Sequence, residues 1–363
     1  MRSFLDIDQT LHGIPAELVR LLAQIEYGRG REDLFRTQAP QVLERLAQRT
    51  RFDSITASSA IENVVVDDDR ALKLLREPTA DGAYRDRSEA EFAGYRDATD
   101  ELLRDGSEPL TVPLVLHVHR LLMRHTGDPV AGTLKSTDNV IGNLSPDGKV
   151  TVVFKPVPAG SATERQLVEL VERYEAALAN GALPSLLLLA ALVLDFLAIH
   201  PFQDGNGRVA RLLTANELLR HGYGVTRYVS IEQRIFETKH SYYAALGASQ
   251  AGWHEGRHDV WPWTGYLLRV LADAYDDFAA RVAAGTELVG GTKGEQARNY
   301  ILTQAPRSFQ FAQIVDALPD ISQATIRNAL DGLKAEGVLS VGRGRGASWT
   351  RADEAARGTP APH

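Results

Sequence analysis

The chain has 363 residues, 44% of them apolar, enough to bury a sizeable core in one large domain or in two to three smaller ones. Its net charge of −7 argues against a whole-molecule nucleic-acid binder and leaves only local basic patches to consider. Cysteine is absent, which excludes disulfides and thiolate metal sites and fits a reducing, cytoplasmic location.

From the first residues onward the apolar spacing is helical. The N-terminus turns acidic at Asp6 and Asp8 and has no apolar segment of the kind a secretory signal carries. Leu18, Leu21, Leu22 and Ile25 follow the helical period, as do Leu43 and Leu46. Ser58-Ser-Ala-Ile-Glu62-Asn63 has a capping-type serine followed by an acid, the spacing of a helix N-terminus. Val115, Val118, Leu121 and Leu122 predict a further helix. His117 and His119 are two apart within it and therefore point to different sides, so they make no shared metal site.

One segment breaks the pattern. Residues 139–154 are β-branched on both sides of Pro146-Asp147-Gly148, which predicts a short hairpin on a helical body. Lys155-Pro-Val-Pro-Ala-Gly160 leads out of it and cannot be helix. Leu167, Leu170, Val171 and Tyr174 resume the helical spacing. Residues 185–199 are the most apolar stretch. They fall short of the roughly 20 residues of a membrane span and are interrupted by Asp195, so a buried helix, not a membrane anchor, is expected.

That helix delivers the chain to His200-Pro-Phe-Gln-Asp204-Gly205-Asn206-Gly207-Arg208-Val-Ala-Arg211. Gly205, Asn206 and Gly207 can aim successive N–H groups into one concavity, and the helix that follows adds its positive dipole end. Asp204 is placed to hold a divalent cation against phosphates, with Mg²⁺ the usual choice for oxygen ligands. Arg208 and Arg211, three apart, lie on neighbouring positions of one helical face, where two guanidinium forks can clamp outer phosphates. A neutral His200 imidazole could take the proton of an incoming hydroxyl. Phosphate chemistry at a helix N-terminus is the function this set predicts. Neither a Gly-x-x-x-x-Gly-Lys-Ser/Thr loop nor a His-Arg-Asp loop is present to suggest another nucleotide fold.

Leu212, Leu213, Leu218 and Leu219 and then Trp263, Leu267, Leu268, Leu271 and Ala272 predict two further helices. His240, His254 and His258 read as surface or packing histidines. The glycine-rich stretch at 284–294 reads as a linker. Beyond it, helices are expected at 295–303, 309–318 and 322–336, with Ser322 as N-cap, then strands at 338–341 and 347–350 around Gly342-Arg-Gly-Arg-Gly346. That is the element order of a winged helix-turn-helix. Its basic residues Arg298, Arg307, Arg327, Lys334, Arg343 and Arg345 are nearly balanced by acids, so DNA contact, protein docking and dimer support all stay open.

The 200–211 run resembles the signature of Fic-domain proteins, and no position departs from it. The resemblance covers about Leu22 to Ala280 and implies a mainly α fold, a Fic-type helical bundle with a short β-hairpin flap. It implies an enzyme that transfers AMP from ATP, with Mg²⁺, to a Ser, Thr or Tyr hydroxyl of a target protein or of the chain itself. In that reading His200 is the general base, Phe202 anchors the loop and Asp204 is the Mg²⁺ ligand. Gly205, Asn206 and Gly207 bind the α- and β-phosphates, Arg208 the β-phosphate and Arg211 the γ-phosphate. Ser58, Glu62 and Asn63 resemble the inhibitory motif that some family members carry at the N-terminus, which implies that Glu62 pairs with Arg211 and misplaces the phosphates.

Residues 133–142 and the hairpin match the flap in position. Tyr243 falls where relatives place an adenosine-contacting tyrosine, and Gln250 where they often have Asn. The implied organisation is an N-terminal helical region at 1–105, a catalytic core at 106–284, a winged helix at 294–351 and a disordered tail at 352–363. Two other functions fit the same residues: a hydrolase in which Glu62 aligns a water to remove AMP from a modified protein, and a DNA-binding regulator that uses the site as a nucleotide sensor.

Overall fold

The helical spacing becomes helix almost throughout, as a computed structural model of the chain shows over residues 2–76, 84–104, 109–144, 150–289, 292–306, 308–342 and 348–351. In chain order come α1 (Ile7–Thr10), α2 (Ala16–Gln38), α3 (Pro40–Ile61), α4 (Asp68–Arg76), α5 (Arg87–Arg104) and α6 (Val112–Met123). The hairpin strands β1 (Ile141–Leu144) and β2 (Val150–Phe154) follow. Then come α7 (Ser161–Asn180), α8 (Ser185–Ile199), α9 (Asn206–Arg220), α10 (Ile231–Glu237), α11 (Lys239–Gln250) and α12 (Trp261–Val289). The last stretch contains α13 (Lys293–Thr303), β3 (Ser308–Gln310), α14 (Phe311–Ala317), α15 (Gln323–Ala335), β4 (Leu339–Val341) and β5 (Ser348–Arg351). Two units emerge, one of residues 1–34 and 47–278, the other of residues 35–46 and 279–363.

The first unit is organised around α8, in which every residue from 186 to 199 is buried. Burying each of its leucines is worth about 2 kcal/mol, which explains why so apolar a helix sits at the centre. Asp195 is tolerated there because its carboxylate accepts from Ser3 Oγ at 2.8 Å, Ser3 N at 3.0 Å and Trp253 Nε1 at 2.6 Å. Helices α7, α9 and α11 pack against α8, and α5 and α6 flank α9. Among the described residues, no helix is long and apolar enough to cross a membrane.

Both ends of the connection between α8 and α9 use left-handed backbone. His200 caps α8 at φ 53°, and Gly205 caps α9 at φ 79°. In α6, Thr111 Oγ1 accepts from Leu114 N at 3.2 Å and starts the helix. Its two histidines diverge as expected. His117 is half-buried beside Glu101, whereas His119 is buried. Strands β1 and β2 pair antiparallel with an irregularity between Ile141 and Gly142; their Pro-Asp-Gly turn lies outside the described residues.

Three expectations need correction. Ser58, Glu62 and Asn63 lie at the C-terminal end of α3, not at a helix start. Asn63 is left-handed at φ 62°, and Val64 N bonds back to Ser59 O at 3.0 Å, closing the helix. The stretch expected to be linker from residue 284 continues as helix to Val289. Phe309 and Gln310, expected in a helix, form strand β3 instead.

In the second unit, β5 lies between β3 and β4 in an antiparallel three-stranded sheet. The sheet and α13–α15 close over Ile301, Phe309, Ile314, Ile326, Leu330 and Leu333. Ser322 caps α15 as expected, accepting from Thr325 N at 3.2 Å. Arg298 is held by Glu336, while Arg327 is exposed and lies 4.9 Å from the Phe311 ring centre. Arg307, Arg343, Arg345 and the tail at 352–363 lie outside the described residues.

Candidate active site

The loop from Pro201 to Gly205 is held rigid by its own residues and by α6. Phe202 is fully buried and stacks on the His119 ring at 3.8 Å. Asn206 Oδ1 accepts from Phe202 N at 2.9 Å, and its Nδ2 donates to Phe202 O at 2.8 Å. The Asn206 side chain therefore locks the turn, and only its backbone N–H is available at the helix start. His119 uses both ring nitrogens. Gly132 N–H donates to Nδ1 at 2.9 Å, so Nε2 carries the proton and donates to Asp204 O at 3.2 Å. Burial lowers the His119 pKa to about 4, which keeps that tautomeric arrangement neutral.

No side chain caps the N-terminus of α9. Its first-turn N–H groups have no intrahelical acceptors, so they and the helix dipole have the chemistry to receive an anion. Gly207 keeps this site open. A Cβ there would lie 2.4 Å from Glu62 Oε1 and 3.3 Å from Arg211 Nη1.

His200 stands at the end of α8 with Nδ1 3.2 Å from Leu197 O. A carbonyl only accepts, so Nδ1 carries the proton and Nε2 keeps its lone pair. Burial, opposed by the Leu197 carbonyl and reinforced by the Lys135 ammonium, lowers the His200 pKa to about 4. The imidazole is thus neutral around pH 7, the form a general base requires.

The two arginines, one turn apart on α9, reach different neighbouring helices. Arg211 donates from Nε to Ser58 Oγ at 2.8 Å, and from Nη2 to Ser58 O at 3.1 Å and Glu62 Oε1 at 3.0 Å. Arg208 donates to Glu91 Oε2 at 2.6 Å and lies 3.7 Å from Asp204 Oδ2. Both guanidiniums are buried. Among the described residues, Arg211 Nη1 and Arg208 Nε are buried without a hydrogen-bond partner.

A cleft of about 890 Å³ has Glu62, Asn63, His200, Asp204, Gly207 and Tyr243 among its walls; Arg208 and Arg211 lie buried behind the start of α9 and do not line it. Tyr243, on α11, is half exposed, and burial raises its hydroxyl to about 12, so it is present as the phenol. Gln250 is buried and lines the same cleft, as does the exposed His240, which the sequence placed on the surface without a role. Lys239, also in the wall, donates to Ile61 O at 2.5 Å and holds the end of α3.

Asp204 is the exposed carboxylate at the mouth of the anion site. Its Oδ1 accepts from Gly205 N at 2.6 Å, and Oδ2 lies 3.6 Å from Arg87 Nη2. Among the described residues, no group of three or more His, Asp or Glu could cage a metal. One carboxylate beside an anion cradle instead fits a Mg²⁺ that shares its ligands with phosphates and water.

The sequence read alone did not single out Glu91, Arg87, Lys135 or a supporting role for His119. They lie far from the motif in the chain, and only the packing of α5, α6 and the flap base brings them to it.

The sequence matches the Fic/DOC family model over residues 109–218, which spans α6 to most of α9 and contains the whole motif. The chain carries a Fic domain. The chain is 26% identical over 174 residues to the protein adenylyltransferase Fic of Nematostella vectensis, a match covering 48% of this chain and 35% of that protein. A protein adenylyltransferase fic-1 of Caenorhabditis elegans is 24% identical over 246 residues, 66% of this chain and 43% of the relative. The chain thus spans less than half the length of these curated relatives. Among solved structures, a Fic family protein from Desulfovibrio desulfuricans G20 superposes with a TM-score of 0.61 at 22% identity, covering 94% of this chain and 98% of that one. Fic-1 (residues 134–508) from C. elegans gives 0.56 at 20% identity, covering 72% and 71%. These likenesses establish a mainly helical Fic fold.

Proposed function

We propose that the chain is a protein adenylyltransferase that moves AMP from ATP to a Ser, Thr or Tyr hydroxyl of a target protein or of itself. The observation that carries this reading is a neutral His200 in the same cleft as the open N-terminus of α9. The cleft volume of about 890 Å³ suits a nucleotide.

In this reading the backbone N–H groups of Asn206 and Gly207 receive the α- and β-phosphates, with Arg208 and Arg211 toward the outer phosphates. Tyr243 and Gln250 border the adenosine. The target hydroxyl oxygen forms a bond to the α-phosphorus while the bond from that phosphorus to the bridging oxygen of the β-phosphate breaks, and pyrophosphate leaves. The hydroxyl proton passes to His200 Nε2. Asp204 is the residue that would hold Mg²⁺, which when bound neutralises phosphate charge. Positioning and charge neutralisation supply the catalysis.

Glu62 is the brake. Its carboxylate takes the Arg211 guanidinium and presses on Gly207, where the phosphate tail would lie. Because it is a partly exposed group lining the His200 cleft, it also supports a second reading, orientation of a water that removes AMP from a modified protein. The C-terminal sheet and helices support reading residues 294–351 as a winged helix, which would dock protein or DNA or support a homodimer.

The test is mass spectrometry after incubation with ATP and Mg²⁺. Glu62→Gly should gain AMP at least about tenfold faster than the parent, a release of about 1.4 kcal/mol or more, and His200→Ala in that background should gain none. The rate of Glu62→Gly should hold its full value as pH falls below 6.5 and decline only near pH 4, because His200 stays unprotonated until then. Equal labelling of the parent and Glu62→Gly would remove the brake, and no AMP on either would remove the activity.

A further inference from the structure

The base of the flap runs alongside the residues that surround His200. Lys135 N donates to Pro201 O at 2.9 Å, and Lys135 Nζ donates to Ile199 O at 3.1 Å. Asn139 Nδ2 donates to Phe202 O at 3.0 Å, and Thr137 Oγ1 to Gln203 Oε1 at 2.9 Å. One residue, Lys135, thus holds both carbonyls that flank His200 in the chain, one with its side chain and one with its backbone.

His200 needs such a grip. It is a non-glycine residue at φ 53°, a conformation that costs on the order of 1 kcal/mol or more and persists only where surrounding contacts enforce it. Ile199 O belongs to the last turn of α8, where carbonyls lack intrahelical donors, and an ammonium there also complements the helix dipole.

Lys135 is itself an expensive choice. It is 3% exposed, and its ammonium bonds two neutral oxygens, Ile199 O and Asn139 Oδ1 at 3.0 Å. The nearby acid, Asp138, spends Oδ1 on Ala159 N at 2.7 Å. A buried cation without a bonded carboxylate is poor for stability, and an apolar or amide side chain would serve the core better. Its place beside His200 calls for a role in the site.

We propose that Lys135 is the positioning residue for His200. It fixes the imidazole through the two flanking carbonyls and ties it through Asn139 to the flap that would receive a target. This inference rests on His200 acting as the base in AMP transfer.

The charged and titratable groups facing the imidazole come from every side. Lys135 stands at the flap base, Glu62 at the end of α3 and Asp204 on the loop, while Lys239 and His240 line the cleft from α11. Burial lowers Lys135 to about 8, so it is charged throughout the range in which an imidazole titrates. Removing that charge raises the His200 pKa, the opposite direction from removing Glu62.

The experiment uses the full chain with Glu62→Gly as parent and two readouts. One is the rate of AMP incorporation against ATP concentration. The other is NMR titration of the His200 Cε1–H, assigned by its loss in His200→Ala. Lys135→Met should lower kcat about tenfold or more while KM for ATP stays within about twofold, since the phosphate site is untouched. It should also raise the His200 titration midpoint by about half a pH unit or more. Lys135→Arg, which keeps the charge, should restore the midpoint and most of the rate. If Lys135→Met does not fold, Lys135→Gln removes the same charge and is read the same way. A kcat within about twofold of the parent, or a midpoint that stays put when the charge is removed, overturns the proposal. Should Glu62→Gly incorporate no AMP at all, the transferase reading fails, while the titration still reports whether Lys135 controls the imidazole.

Discussion

Helix α9 has two flanks, and its two arginines make the difference between them measurable. On the α5 flank, Arg208 meets Glu91, and both side chains are almost wholly buried, at 3% and 7% exposure. Arg87 adds a second bond to Glu91 at 2.6 Å. On the α3 flank, Arg211 is equally buried, but its partner Glu62 keeps 30% of its side chain exposed at a helix end facing the cleft. The chemistry is the same, yet one carboxylate is enclosed between helices and the other sits where a ligand could displace it. Burial of the acid, not of the arginine, separates a lasting ion pair, in which Arg208 has only its N–H groups outside the Glu91 bond to offer a phosphate, from a replaceable one.

Removing each acid in turn tests that contrast, and the enclosed one has the larger effect. Among the described residues, Glu91→Leu leaves the buried Arg208 with Asp204 alone in ion-pair range, and it should lower unfolding stability by about 3 kcal/mol in urea titration at unchanged slope. Glu62→Gly should cost no more than about 1 kcal/mol, because its carboxylate is part-solvated and Arg211 keeps both bonds to Ser58. ATP with Mg²⁺ should then raise the melting temperature of Glu62→Gly more than that of the parent, since a ligand stabilises by its affinity for the folded state. Similar urea midpoints for the two variants would erase the distinction between the flanks.

What could be read in advance follows the same division. The motif was legible because His200, Asp204, the Gly-Asn-Gly turn and both arginines are contiguous, and one loop with one helical turn brings them together. The buried α8 was legible from its composition. The flank residues were not, because Glu91 lies 117 residues from Arg208 and only tertiary packing selects it among many surface-type acids. His119 was separated correctly from His117 by helical spacing, yet nothing local marks it as the residue that holds Asp204 O.

The 58–63 segment was assigned to the wrong helix end for an instructive reason. Serine and an acid at this spacing suit a start, but Asn63 in the left-handed region is a stop signal, and it was in the sequence. Gly285 misled in the other direction. A glycine inside a helix costs about 1 kcal/mol relative to alanine, so it read as a break, whereas here a Cβ would lie 2.5 Å from Val42 Cγ1. Packing decided the residue, and packing is what the linear pattern omits.

The smallest effect sharpens the contrast most, because it separates the two anchors on the α3 flank. Ser58 Oγ accepts from Arg211 Nε at 2.8 Å and is fully buried, while Ser58 O and Glu62 Oε1 share Nη2. Ser58→Ala removes one charge-assisted bond without touching the carboxylate and should cost about 1.5 kcal/mol of stability. It should loosen the Arg211 fork and raise AMP incorporation about twofold to threefold over the parent, well below Glu62→Gly. The double variant Ser58→Ala with Glu62→Gly should label no faster than Glu62→Gly alone, because the serine acts on the brake only by holding the arginine that the glutamate occupies. Additive gains would mean that Ser58 restrains the site independently of Glu62, and the α3 flank would then contain two separate locks instead of one.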